Sequence, residues 1–233
     1  MRGREKELLP YTSQQITALR RALLIWGNAH FRPFPWRLTT DPYRILIAEI
    51  LLHRTQVRQV IPVYQQFIAR YPDINALARA SREELHQALY SLGLRWRVDL
   101  LHEMAQTIAQ RHGGEIPRAR EALLALPGVS QYVAGAVRCF AWNEPEVLMD
   151  TNTVRVVGRL VGWEVKDSSR RSKRFRQALE TLLDRENPRA FNYALLDLAH
   201  LVCLKRQAPR CGECPLQSWC RFNPQGDAHA SSH

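Results

Sequence analysis

Apolar residues recur at three- and four-residue intervals along most of the chain, and no stretch alternates apolar with polar in the two-residue period of a strand. The elements expected are therefore helices. Ser13 opens one that runs to about Ala29, and Asp41-Pro42 opens another with an aspartate cap and proline at the first helical position. Further helices are expected from about Gln56 to Arg70 and from Ser81 to Tyr90, where Ser81-Arg82-Glu83-Glu84 makes a capping box. Another runs from Trp96 to His112 and stops at Gly113-Gly114. The rest span roughly Arg118 to Ala125, Gln131 to Trp142, Asn152 to Val161, Arg170 to Arg185 and Arg189 to Val202. About ten helices and no strand predict an all-α protein. Polar turns near Phe34 and at Asn143 to Pro145 divide it, with residues 35–144 as one lobe and residues 1–34 with 145–221 as the other. Residues 222–233 lack periodicity and read as a loose tail.

Two carboxylates interrupt this pattern. Glu49 is the only charge in the eight-residue run Ile45 to Leu52, with apolar residues on every helical face around it, so it is expected to be buried with its helix. Burial raises a carboxyl pKa and makes the group a proton donor near neutral pH. The alternative is a buried ion pair with Arg37 or Arg54. The second is Asp150, in Leu148-Met149-Asp150-Thr151-Asn152-Thr153, eighteen to twenty positions beyond the turn Leu126-Pro127-Gly128-Val129-Ser130. That turn and the helix start after it expose backbone N–H groups suited to phosphate. An acid close to such a site repels a polyanion and so suggests chemistry, although Asp-Thr-Asn before an apolar run is also a helix cap. One protonated and one ionised carboxylate are what cleavage of a glycosidic bond requires. The bond from a base to deoxyribose is of this kind, and the nucleotide must first be flipped from the duplex.

Cys203, Cys211, Cys214 and Cys220 follow the last helix with spacing C-x7-C-x2-C-x5-C and no matching histidine. Four thiolates in one short loop bind an iron–sulfur cluster or zinc, and the single C-x2-C pair favours [4Fe-4S]. Disulfides do not suit a reducing compartment. Lys205, Arg206 and Arg210 inside the first gap would set a cationic loop against phosphates. Cys139, on the helix after the turn, reads as core.

Charge narrows the partner. The 233 residues carry a formal net charge of +11, and nearly all the basic residues are arginines, the lysines being Lys6, Lys166, Lys173 and Lys205. An anionic partner, most often nucleic acid, is expected. No run of 18 apolar residues and no signal-peptide core occurs, so no membrane partner and a cytoplasmic, nucleoid-associated monomer are expected.

With these residues assembled, the chain resembles the helix-hairpin-helix DNA glycosylases of the endonuclease III and MutY superfamily. The similarity runs from about Phe34 to Cys220, through Phe34-Pro35-Trp36-Arg37, Ala48-Glu49-Ile50-Leu51-Leu52, Leu126-Pro127-Gly128-Val129, Asp150 and the four cysteines. The resemblance implies a two-lobed all-α fold. A six-helix lobe would carry the hairpin motif at about 118–142, and a second lobe, built from both termini, would hold a [4Fe-4S] cluster in the loop 203–220. The active site would lie between the lobes. It makes Asp150 the catalytic aspartate and Glu49 the acid of the MutY-like branch. Tyr132 stands where endonuclease III-like enzymes carry a nucleophilic lysine, and a phenol forms no Schiff base, so a monofunctional glycosylase is expected.

Leu51-Leu52-His53-Arg54-Thr55 and Val137-Arg138-Cys139-Phe140-Ala141 resemble the MIG-type G/T-mismatch thymine glycosylases. The implied substrate is duplex DNA with thymine or uracil opposite guanine. The alternatives are a MutY-like adenine glycosylase acting on A opposite G or 8-oxoguanine, a catalytically inactive DNA-binding protein of this fold, and a zinc-stabilised adaptor. Gly128, Ser130 and Gln131 are the expected phosphate contacts, and His53 and Arg54 are placed to fill the gap left by a flipped nucleotide or touch the orphan base. Leu94-Arg95-Trp96-Arg97, through Arg95, Trp96 and Arg97, would supply an opposing wedge and phosphate contacts, or Trp96 is core. Two departures from the family pattern stand out. Ser130 replaces the second glycine of the hairpin, which is expected to strain or reshape that turn, and the first cysteine gap is one residue longer than usual.

Overall fold

The computed structural model describes residues 8–93 and 95–222, without the side chains of Arg95 and Trp96. Its described residues form α-helices and short 3-10 turns, and none of the helices is long and apolar enough to cross a membrane. The chain divides into two compact units: residues 33–146, and the described residues on either side of them.

The 33–146 unit contains α2 (Pro42–Leu52), α3 (Val57–Arg70), α4 (Ile74–Arg79), α5 (Arg82–Leu89), α6 (Arg95–Arg111), α7 (Arg120–Leu124) and α8 (Gln131–Trp142). That is seven α-helices where the sequence pattern predicts six. The addition is α4, whose six residues are too short to display a period, although Asp73 caps it by accepting from the Ala76 N–H over 2.8 Å. Asp41 caps α2 by accepting from the N–H groups of Tyr43 and Arg44, with Pro42 at the first turn. Every residue of α2 from Ile45 to Leu51 is buried, and α8 packs against it with Val133 to Val137 and Cys139 to Ala141 inside. Cys139 is core, as its position implied.

The other unit is built from α1 (Ser13–Ala29), α9 (Thr151–Val161), α10 (Lys173–Leu182), α11 (Pro188–Leu201) and the cysteine loop that follows. A capping box at Thr12 and Gln15 starts α1. Gly27 allows α1 to approach α11 closely, since a Cβ there would stand 2.3 Å from that of Ala194. Tyr11 ties the N-terminal segment to the rest by donating to the carbonyls of Leu160 (2.6 Å) and Trp219 (3.0 Å). Burial pushes its phenol up to about 12. The core of this unit joins α1, α9, α10 and α11, with Leu216, Cys214 and Cys220 of the loop packed on it.

Candidate active site

Asp150 is the N-cap of α9. Its Oδ1 accepts from the backbone N–H groups of Asn152 (2.8 Å) and Thr153 (2.7 Å), and its Oδ2 accepts from Asn152 Nδ2 (2.8 Å). Thr153 completes the box, accepting from the Asp150 N–H and donating to the Leu148 carbonyl. Three donors thus fix a half-buried carboxylate at a positive helix end. The orientation is set from below by Arg155, which is 8% exposed. Arg155 Nη1 donates to Asn152 Oδ1 (3.1 Å) and the Thr151 carbonyl, Nη2 to the Ala199 carbonyl (2.9 Å), and Nε to the Cys203 carbonyl (3.0 Å). A continuous hydrogen-bonded chain therefore runs from Asp150 to the first cysteine. Neither Asn152 nor Arg155 was singled out from sequence. The signal available was the one that identified Glu49, a lone charge within an apolar run, here Thr153-Val154-Arg155-Val156-Val157.

The four cysteines line one largely apolar chamber walled by Val156, Leu160, Leu198, Val202 and Leu216. Arg159 Nη1 donates to Cys203 Sγ (3.3 Å) and to the Leu204 carbonyl (2.7 Å). Burial pushes the Cys214 thiol up to about 11 and raises that of Cys220, the neighbouring cysteines adding to both effects. Among the described residues no three His, Cys, Asp or Glu form a ready site for a single metal ion. An all-sulfur donor set around an apolar chamber suits a thiolate-held cluster, with Arg159 placed to donate to one of its sulfurs.

The 33–146 unit holds the other expected site residues. Glu49 is 8% exposed on α2. Tyr132 is half-buried in the first turn of α8. Before it, Leu126 to Val129 form a turn closed by the Val129 N–H on the Leu126 carbonyl (3.2 Å), with Pro127 second and Gly128 third at φ +76°. This is a type II turn, in which the third residue must take positive φ. A Cβ on Gly128 would also press to 3.2 Å from that of Leu100. Ser130, by contrast, is unstrained: it sits at φ −84° and caps α8 by accepting from the Val133 N–H. The expected strain is absent because this position lies after the turn and takes the extended conformation that a cap requires. Gln131 is exposed, its Oε1 held by Arg120 at 2.9 Å. Arg118, Arg120 and Arg138 pair with Glu144 and Glu146, fastening both helices of the hairpin to the segment after α8.

Leu52 to Thr55 make a second turn, closed by the Thr55 N–H on the Leu52 carbonyl. Its third residue is Arg54 at φ +62°, where glycine or asparagine is the low-cost choice. His53 and Arg54 are both exposed on it. Arg97 supports the turn from inside, 7% exposed, donating to the carbonyls of Ile50 (3.4 Å) and His53. This corrects the reading of Arg97 as a phosphate contact: it caps the end of α2 instead, because it continues the buried face of α6 formed by Val98, Leu101, Met104 and Ile108. Partial burial and the guanidiniums of Arg97 and Arg54 hold the His53 imidazole below its usual range. The wedge expected at Arg95 and Trp96 involves side chains outside the described residues.

Residues 47–183 match the family described as HhH-GPD superfamily base excision DNA repair protein. A thymine-DNA glycosylase of Aeropyrum pernix is 39% identical, the alignment covering 89% of this chain and 95% of that one. An adenine DNA glycosylase of Mycobacterium tuberculosis is 36% identical, covering 88% of this chain and 67% of that one. Among solved structures, a thermostable thymine-DNA glycosylase superposes with a TM-score of 0.84 at 33% identity, covering 90% of this chain and 96% of that one.

Proposed function

The chain belongs to the HhH-GPD superfamily of base excision DNA repair proteins and is a DNA glycosylase, and we propose that the base it releases is thymine or uracil opposite guanine. The observation that carries this reading is the near full-length match to a thymine-DNA glycosylase. An adenine glycosylase is the weaker alternative, since the adenine-specific relative is 36% identical against 39% for the thymine-specific one.

In the proposed reaction Asp150, held by Asn152 and two backbone N–H groups, faces the sugar with its negative charge as the glycosidic bond lengthens. Glu49 supplies or relays the proton that the departing base requires. Water captures the sugar, because Tyr132 offers no amine for a covalent adduct. The hairpin N–H groups after Gly128, with Ser130 and Gln131, take a phosphate of the strand, and the turn carrying His53 and Arg54 meets the opposite guanine or the vacated stack. Cys203, Cys211, Cys214 and Cys220 would hold a [4Fe-4S] cluster, whose contribution is to order the loop that carries them. The protein is proposed to act as a cytoplasmic monomer on mismatched duplex DNA.

Single-turnover excision on G:T, G:U, A:G and A:8-oxoguanine duplexes tests the reading. Release of thymine and uracil opposite guanine is expected, with Asp150→Asn slowing it by at least about 100-fold while duplex binding persists. Excision confined to adenine would overturn the substrate assignment, and unchanged turnover in Asp150→Asn would remove that residue from the chemistry.

A further inference from the structure

Beside α9 lies an open groove of about 790 Å³ that neither the catalytic residues nor the cysteine chamber occupies. It begins at Thr151, the residue after Asp150, and reaches Gly162 at the other end of the helix. Eleven helical residues span about 16 Å at 1.5 Å each, close to five steps of 3.4 Å along one DNA strand. We propose that this groove binds the phosphodiester backbone of the strand flanking the excised nucleotide. The proposal rests on the DNA glycosylase reading and extends it to a second contact region.

Three features of the groove favour that ligand. Its lining carries six cations against two carboxylates. Both carboxylates are already matched, Glu164 by Lys166 at 3.1 Å and Asp167 by Arg170 at 2.5 Å. Arg155 and Arg159 are committed to internal carbonyls and to Cys203, so Lys205 and Arg221, both exposed, remain to face an anion. The far wall is rigid: Gly158 lets the segment Trp163 to Val165 lie directly on α9, where a Cβ would meet Val165 at 2.2 Å. Trp163 in that wall is braced edge-on by Phe175 and covered by the Arg174 guanidinium 3.7 Å from its ring centre. A fixed, elongated, cationic trough that starts beside the reacting residue matches a linear polyanion better than a compact ligand.

The test uses the full chain and a 30-base-pair G:T duplex in which the phosphates two to five nucleotides from the thymine are replaced by neutral methylphosphonates, on one side or the other. For the wild type, neutralising one flank should weaken binding and flatten its salt dependence, each lost phosphate contact removing about 0.9 from the slope of log K against log salt. The Arg221→Glu/Lys205→Glu variant should show a slope lower by about 2 on the unmodified duplex and no further loss on neutralising that flank. Arg21→Glu, an exposed charge reversal on α1 outside the groove, should remain sensitive to the modification. A milder Arg221→Gln/Lys205→Gln pair covers the case in which the reversal unfolds the protein, as read from its melting curve. Wild-type affinity and slope in either folded variant would overturn the proposal, and that is also the result expected if the groove receives an acidic peptide. Wild-type protein that releases no base at all would instead refute the underlying reading.

Discussion

Asn152 and Asp150 are joined side chain to side chain, with Asn152 Nδ2 donating to Asp150 Oδ2 over 2.8 Å while the Asn152 carbonyl accepts from Arg155. Asp150 is therefore aimed by a residue that is itself clamped to the end of α11 and the start of the cysteine loop. Two substitutions separate aim from architecture. Asn152→Ala removes both of these partly buried side-chain hydrogen bonds and is expected to slow single-turnover excision about tenfold with a stability loss of about 1 kcal/mol. Arg155→Ala vacates four acceptors, that of Ala199 buried and the other three partly so, and should lower stability by about 3 kcal/mol, seen as an earlier denaturation midpoint, and slow excision as well. Excision at the wild-type rate in both variants would show that the carboxylate needs no such support.

The two variants also mark what the sequence could and could not convey. Helix starts were legible where a local cap preceded a long enough apolar period: Asp41, Ser81 and Asp150 each bond to a backbone N–H two or three residues on, as Asp73 also does for α4, which is too short to show a period. So were Glu49 and the four cysteines, whose residue types conflict with their surroundings. Arg155, Arg159 and Arg97 stayed hidden because an arginine in a chain with 29 of them reads as surface charge. Their roles come from carbonyls of other elements, Cys203 and Ala199 for Arg155 and His53 for Arg97, and no spacing along the chain announces those partners. The carboxylates at 144 and 146 escaped notice for the same reason, since they meet arginines 6 to 26 residues away.

Tyr132 gives the sharpest chemical expectation. Position 132 lies in the first turn of α8, just after the turn Leu126 to Val129, and its side chain is half-buried. Tyr132→Lys is expected to create an amine that attacks the sugar, giving strand cleavage and an adduct with DNA that borohydride traps. Wild-type protein should give base release with little trapping. Absence of any adduct in a variant that still excises would show that the side chain at 132 does not reach the reacting carbon.

His53 makes stability depend on pH. Its folded-state pKa lies below the usual value near 6.5, owing first to burial and then to the charges of Arg97 and Arg54. As pH falls through 6.5 the unfolded chain takes up the proton first, so the unfolded state is favoured and stability declines toward acid. Comparison of urea midpoints between pH 7.5 and 5 should show a steeper decline for the wild type than for His53→Gln. Parallel curves would mean that the imidazole titrates alike in both states. His200, lowered chiefly by burial, contributes in the same direction to both proteins and cancels in the difference.

Arg54 holds a left-handed backbone conformation on an exposed turn, and the fold gains nothing evident from it. Such a conformation costs an L-residue on the order of 1 kcal/mol or more, and glycine would adopt it freely. If stability alone had shaped the turn, glycine would serve better at φ +62°. The side chain is therefore expected to be kept for contact with DNA, and Arg54→Gly should raise the denaturation midpoint while weakening binding to a G:T duplex about tenfold or more. The opposed signs are the point of the measurement: a destabilised variant would mean that the guanidinium supports the fold. A stabilised one with undiminished affinity and excision would leave the strained turn without a role in recognition, and the assignment of Arg54 to the opposite base or the vacated stack would fall.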